Sequence, residues 1–116
     1  MTDPAGLPKR ITPIFPVVDL DVSFAFYRRL GFSTRRYEPG GYGFITLDGV
    51  ELHLGVVPEV VSPSSAYLYV EDADELASRW TAPDIAVHPP QDTPWGMHEG
   101  AVVDPDGNVI RFGNPA

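Results

Sequence analysis

Alternation and helical spacing take turns along this chain, and they do so twice in the same order. Residues 11–18 read as a strand, although Pro13 and Pro16 each delete a ladder donor, which places the strand at an edge or next to a kink. Asp19 is a good N-cap, and Asp21 in the first turn suits the helix dipole. Val22, Phe26 and Leu30 then recur at i, i+4 and i+8 as an apolar stripe, and Gly31 ends the helix. Residues 32–38 read as a strand, Pro39-Gly40-Gly41 as a turn, and strands over 42–47 and 50–57 flank the two-residue hairpin signal Asp48-Gly49.

After a linker over 58–64 the order repeats. Residues 66–70 form a strand, and Ser65 stands at its start. Asp72 caps a second helix with Glu75 in capping-box spacing, Leu76 and Trp80 mark its buried face, and Pro83 breaks it. A short strand over 85–88 and a loop over 89–96 follow. Strands over 97–103 and 108–112 flank the turn Asp104-Pro105-Asp106-Gly107. The stretch from Asp48 to Gly55 is echoed, 58 residues later, from Asp106 to Gly113, with polar His53 and Arg111 at matching places. The expectation is an α+β fold: a tail over 1–10 and two βαβββ modules, 11–57 and 65–113, forming a curved, barrel-like mixed sheet within one domain.

Composition narrows the function classes. The 116 residues contain no cysteine, which removes disulfides and thiolate chemistry. Net charge is −8 and only one lysine is present, so the cationic footprint of a nucleic-acid binder is missing. No apolar run is long enough to span a membrane and no leader pattern opens the chain, so a cytoplasmic location is expected. Serines do not occur in a nucleophile-elbow pattern, and Gly40-Gly41-Tyr42-Gly43 lacks the context of a phosphate loop. His98 and Glu99 are strand neighbours that point to opposite faces, which disfavours an acid/base pair. No catalytic residue is assigned.

The order of elements, together with Asp19-Leu20-x-x-Ser23-x-x-Phe26-Tyr27-x-x-Leu30-Gly31-Phe32 and Asp104-Pro105-Asp106-Gly107-Asn108, resembles the glyoxalase/bleomycin-resistance group of the vicinal oxygen chelate superfamily over residues 11–113. The resemblance implies the glyoxalase/bleomycin resistance/dioxygenase fold. Enzymes of that group hold a divalent metal on side chains from the first, fourth, fifth and eighth strands. Motif spacing places Pro13, His53, Ser65 and Arg111 there. Proline has no donor, arginine cannot ligate, and one histidine does not make a site, so no metal and no cofactor are expected. Pro13 and Pro94-Trp95-Gly96 are similar to features of the bleomycin-resistance subgroup, in which a proline marks the hinge of a first strand exchanged between the chains of a homodimer.

A metal-free groove would be lined by Tyr37, Tyr42, His53, Tyr67, Tyr69, Trp95, Met97, His98 and Arg111. Aromatic rings and net negative charge suit a planar, cationic ligand, such as a bleomycin-like antibiotic, held by affinity alone. Alternatives stay open at this point. Tyr67 and Tyr69 could pack beneath a helix. Arg111, if it points into the concave face, is a buried cation that needs a partner, either Glu51 or Glu99 in an internal ion pair or a ligand carboxylate or phosphate, and the latter would weaken the cationic-ligand reading. The chain could be a divergent metal-dependent glyoxalase-like lyase, isomerase or dioxygenase, or a module whose groove is filled by its own side chains.

Overall fold

Each helix begins where a carboxylate can cap it. The Asp19 Oδ1 accepts from the backbone N–H groups of Asp21 and Val22 at 2.9 and 3.1 Å, and the Asp72 Oδ1 from Glu75 at 3.1 Å. The computed structural model describes residues 5–116. Of the expected tail, residues 1–4 lie outside the described residues, and 5–10 carry no helix or strand.

The first half is β1 (Ile14–Val17), α1 (Leu20–Arg29), β2 (Ser33–Arg36), β3 (Tyr42–Leu47) and β4 (Val50–Val56). The second is β5 (Ser65–Tyr69), α2 (Ala73–Trp80), β6 (Ala86–Asp92), β7 (Met97–Val103) and β8 (Val109–Pro115). Each half makes its own four-stranded sheet, in the orders β1-β4-β3-β2 and β5-β8-β7-β6. In both, a parallel pair (β1 with β4, β5 with β8) joins an antiparallel meander. The sheets are curved but do not close into the barrel-like sheet the sequence suggested. Asp48 and Gly49 both adopt positive φ, 48° and 81°, as a type I′ hairpin turn requires.

Alternation gives each sheet two unlike faces. One face of each, with the helices against it, forms the core: Phe15, Val17, Ile45, Leu52 and Leu54 in the first half, Val102, Ile110 and Phe112 in the second. The helix α1 turns Leu20, Phe24 and Tyr27 inward, and Val22 lies about half exposed. Of the expected Val22–Phe26–Leu30 stripe, Leu30 is buried and Phe26 packs against the core, and Val22 alone stays outside. Tyr27 belongs inside because its hydroxyl finds a buried partner there, donating to Asp104 Oδ2 at 2.8 Å. Strand β6 also outruns its expected end at His88, because a register shift between His88 and Gln91 absorbs Pro89 and Pro90.

The halves are locked by the Asp104–Asn108 turn. Asn108 is fully buried and donates from Nδ2 to the Pro16 carbonyl at 2.8 Å and to Asp104 Oδ2 at 2.9 Å. Asp106 Oδ1 accepts from the Val18 N–H. Trp80 adds a second joint, its indole N–H donating to the Leu30 carbonyl at the end of α1, 2.8 Å away. The motif that carried the family resemblance is thus the bolt between modules, not part of a reacting centre.

Candidate functional site

Among the described residues, no helix lies on the other face of either sheet. On the first sheet that face presents Ile14 on β1, Glu51 and His53 on β4, Tyr42 and Phe44 on β3, and Arg35 on β2. On the second it presents Tyr67 and Tyr69 on β5, Arg111 and Gly113 on β8, and Met97, Glu99 and Ala101 on β7. Ile14, Tyr69 and Trp95 are 55%, 78% and 68% exposed, which is a large apolar display for one small chain.

The first open face is organised around His53. Its Nδ1 lies 2.8 Å from the Tyr42 hydroxyl and its Nε2 3.0 Å from Glu51 Oε2. A phenol donating to Nδ1 and an Nε2–H donating to the carboxylate satisfies all three groups at once. Tyr42, Phe44 and His53 meet edge to face, with ring centroids 4.9–5.6 Å apart. The Arg35 guanidinium lies 4.0 Å over the Phe44 ring.

The second open face borders a cavity of about 530 Å³ whose lining includes His88, Trp95, Glu99, Val103 and Arg111. Trp95 follows Pro94 and precedes Gly96, whose φ of 87° turns the chain back into β7. Its indole N–H donates to Glu99 Oε1 at 2.8 Å, so the ring is held although it is exposed. The Tyr67 and Tyr69 rings lie 4.9 Å apart. The Tyr67 hydroxyl is shielded from water and lacks a hydrogen-bond partner. It sits over Gly113, where a Cβ would collide with it, so the glycine makes room for the phenol. Burial, then the Glu99 and Tyr69 charges, push the Tyr67 phenol up, against a downward pull from Arg111.

Tyr42, His53, Tyr67, Tyr69, Met97 and Arg111 all project from these open faces, and Trp95 leads into the second. Tyr37 lies beyond the end of β2, half exposed, its N–H bonded to the Tyr42 carbonyl. Tyr67 and Tyr69 are not beneath a helix. Arg111 is exposed rather than buried. His98 is on the opposite face, between Asp92 Oδ1 at 2.8 Å and Asp74 Oδ1 at 2.9 Å, where it ties α2 to the β6–β7 hairpin. Ile14, Arg35 and Phe44 were missed, and Glu51 and Glu99 were named only as counter-ions of Arg111. Counting in twos from Tyr42 and His53 would have found Phe44 and Glu51.

His98 supports a pH prediction. Its two carboxylate partners hold its pKa above the ordinary histidine value, against a smaller opposing effect of desolvation. A raised folded-state pKa means that this stabilisation is whole below the unfolded value of about 6.5 and fades as pH rises through the folded one. Thermal melts across that interval should show a pH-dependent loss that His98→Gln flattens. An unchanged slope in the variant would contradict it.

The model of the Glyoxalase/Bleomycin resistance protein/Dioxygenase superfamily matches residues 10–112. The chain belongs to this superfamily. Over a 124-position alignment it is 31% identical to the bleomycin resistance protein of Klebsiella pneumoniae, covering 97% of this chain and 92% of that one. A bleomycin-binding protein solved in complex with bleomycin superposes with a TM-score of 0.80 at 26% identity, covering 94% of this chain and 100% of that one. Lactoylglutathione lyase from Agrobacterium tumefaciens superposes with a TM-score of 0.74 at 25% identity, covering 93% of this chain and 95% of that one.

Enzymes of the superfamily bind a divalent ion on their first, fourth, fifth and eighth strands, so the residues there test whether one fits. The register corrects two of the four expected positions. Pro13 precedes β1 and offers only its carbonyl, which accepts from the His53 N–H at 2.9 Å. Ser65 lies opposite Val109, two residues short of Arg111. The open-face positions level with His53 and Arg111 are Ile14 and Tyr67. Isoleucine has no lone pair to give, arginine is a permanent cation, and both His53 nitrogens are engaged. Among the described residues, no group of three or more His, Asp or Glu side chains could hold a metal ion. This donor set does not fit a divalent ion.

Proposed function

We propose that the protein sequesters an aromatic small molecule, an antibiotic of the bleomycin type or a related metabolite, without turning it over. The groove would form where the open faces of two copies meet in a homodimer. The observation that carries this reading is the composition of those faces. Rings and a few fixed polar groups stand where catalytic relatives need metal donors. The similarity to a bleomycin resistance protein over nearly the whole chain supports the ligand class.

A dimer is supported by shape. The radius of gyration is 15.7 Å, against about 13 Å for a compact chain of this length. Two sheets each have one bare, ring-rich face that a second copy would cover. Exchange of the first strand, hinged near Pro13, would add a shared element to that interface. Sequestration inside the cell requires a cytoplasmic protein, and no helix among the described residues is long and apolar enough to cross a membrane. The cationic character expected from net charge has a narrower basis than the sequence suggested, since Glu51 and Glu99 are the carboxylates on the two open faces.

Calorimetric titration with bleomycin, with and without copper(II), tests the reading. One drug per chain is expected, with a dissociation constant of about 1 µM or below, an affinity of roughly 8 kcal/mol or more. The absence of heat at drug concentrations a hundredfold higher would remove bleomycin as the ligand. Sedimentation at the same concentrations should give a dimer. Near-stoichiometric zinc, nickel, iron or manganese in the purified protein would instead support a lyase, isomerase or dioxygenase.

A further inference from the structure

The −8 charge of this chain is not in its groove. Seven of its sixteen carboxylates cap helices (Asp19, Asp72), lie in first turns (Asp21, Asp74, Glu75), or hold the module lock (Asp104, Asp106). Both carboxylates on the open faces already have partners: Glu51 takes His53 and, at 3.8 Å, Arg10, while Glu99 takes the Trp95 indole. The cations of those faces are Arg35, which lies over Phe44, and Arg111.

Arg111 sits on β8, an inner strand of its sheet, with Tyr67 opposite on β5 and Ala101 opposite on β7. No hydrogen bond, ion pair or ring contact engages its guanidinium among the described residues. It borders the cavity of about 530 Å³ that Trp95 and Glu99 also line. A ligand or second chain covering this face strips water from a permanent cation, and that costs affinity unless a counter-charge arrives with the cover.

We propose that Arg111 is the specificity-determining residue of the groove, and that the preferred ligand is a planar aromatic carrying an oxyanion, a carboxylate or sulfonate. Rings stack against Trp95, which lines the same cavity, and the guanidinium takes the oxyanion through paired N–H donors. A cationic substituent on the same ligand would extend toward Glu99. This inference rests on the groove being a binding site for aromatic molecules. It reverses the preference that net charge alone would set, because a −8 protein repels anions at long range.

A matched pair of fluorescent probes tests it: anilinonaphthalene sulfonate and its uncharged parent, phenylnaphthylamine. The intact protein should bind the sulfonate about tenfold more tightly than the parent, the scale of one charge-assisted contact, and bleomycin should displace both. Arg111→Gln should abolish the preference while keeping the parent's affinity, and Arg111→Lys should restore part of it. Because Arg111 is exposed and makes no contact that holds the fold, both variants should melt with the parent protein. Equal affinity for the two probes, or an equal loss of both in Arg111→Gln, overturns the role of Arg111 and leaves the binding groove standing. Failure of both probes and of bleomycin to bind overturns the groove itself, and this inference with it.

Discussion

Asp104→Ala should destabilise the protein by about 3–5 kcal/mol, measured as a lower urea midpoint with an unchanged slope. The carboxylate is nearly buried and serves four donors. Oδ1 accepts from the Asp106 N–H at 2.9 Å and the Asn108 N–H at 2.8 Å. Oδ2 accepts from the Tyr27 hydroxyl at 2.8 Å and the Asn108 amide at 2.9 Å. Removing it strands the Tyr27 phenol in a site that water does not reach, leaves the Asn108 amide only the Pro16 carbonyl, and frees the turn that joins the halves. Burial, with Asp104 next, holds the Tyr27 phenol far above its ordinary pKa, so Tyr27 remains a donor throughout the neutral range.

Two companions separate these effects. Tyr27→Phe removes one donor and leaves the carboxylate three, so about 1 kcal/mol is expected. In the double variant the two costs should not add, because they share one hydrogen bond. Simple additivity would mean that Asp104 acts only on its own turn and not as a joint between modules.

The legible parts of the fold were those with a local cause. Asp19 and Asp72 announce helix starts because a carboxylate before a helical run has backbone donors to satisfy. Asp48-Gly49 announces a hairpin because both residues tolerate positive φ. The internal repeat gave the order of elements. What the sequence hid depends on partners far along the chain. The full inward face of α1 could not be read from spacing, since Leu20, Phe24 and Tyr27 lie inside together with Leu30, while Val22 of the expected stripe does not. The partner that gives Tyr27 its buried place, Asp104, lies 77 residues away.

The site shows the same division. The aromatic content of the groove was visible, and strand alternation alone puts Tyr67 and Tyr69 on one face. The level of each position across the sheet was not visible. Pro13 and Ser65 were placed by motif spacing, and pairing with β4 and β8 shifts those levels to Ile14 and Tyr67. Arg111 was expected to need a counter-charge if it pointed into the concave face, because a cation there would be buried. Two separate curved sheets leave it open to solvent. The charge of the groove was misjudged because net charge is a property of the whole surface, and the two open faces carry only Glu51 and Glu99 among the carboxylates of their strands.

Trp80→Ala should cost about 3–5 kcal/mol and Trp80→Phe about 1–2 kcal/mol. The ring is 2% exposed and packs edge to face on Phe112, with centroids 5.2 Å apart. Alanine leaves a cavity between α2 and the second sheet. Phenylalanine fills most of it but leaves the Leu30 carbonyl without the indole N–H, which loosens the joint between the end of α1 and α2. The milder variant is the more useful one. The chain has two tryptophans, so in Trp80→Phe all tryptophan emission comes from Trp95, exposed beside the second open face. A ligand that stacks there should shift and quench that emission in a saturable way, with the same midpoint that calorimetry gives for the parent protein. If calorimetry shows binding while Trp95 emission stays constant, the ligand does not lie against the ring that Glu99 holds in place.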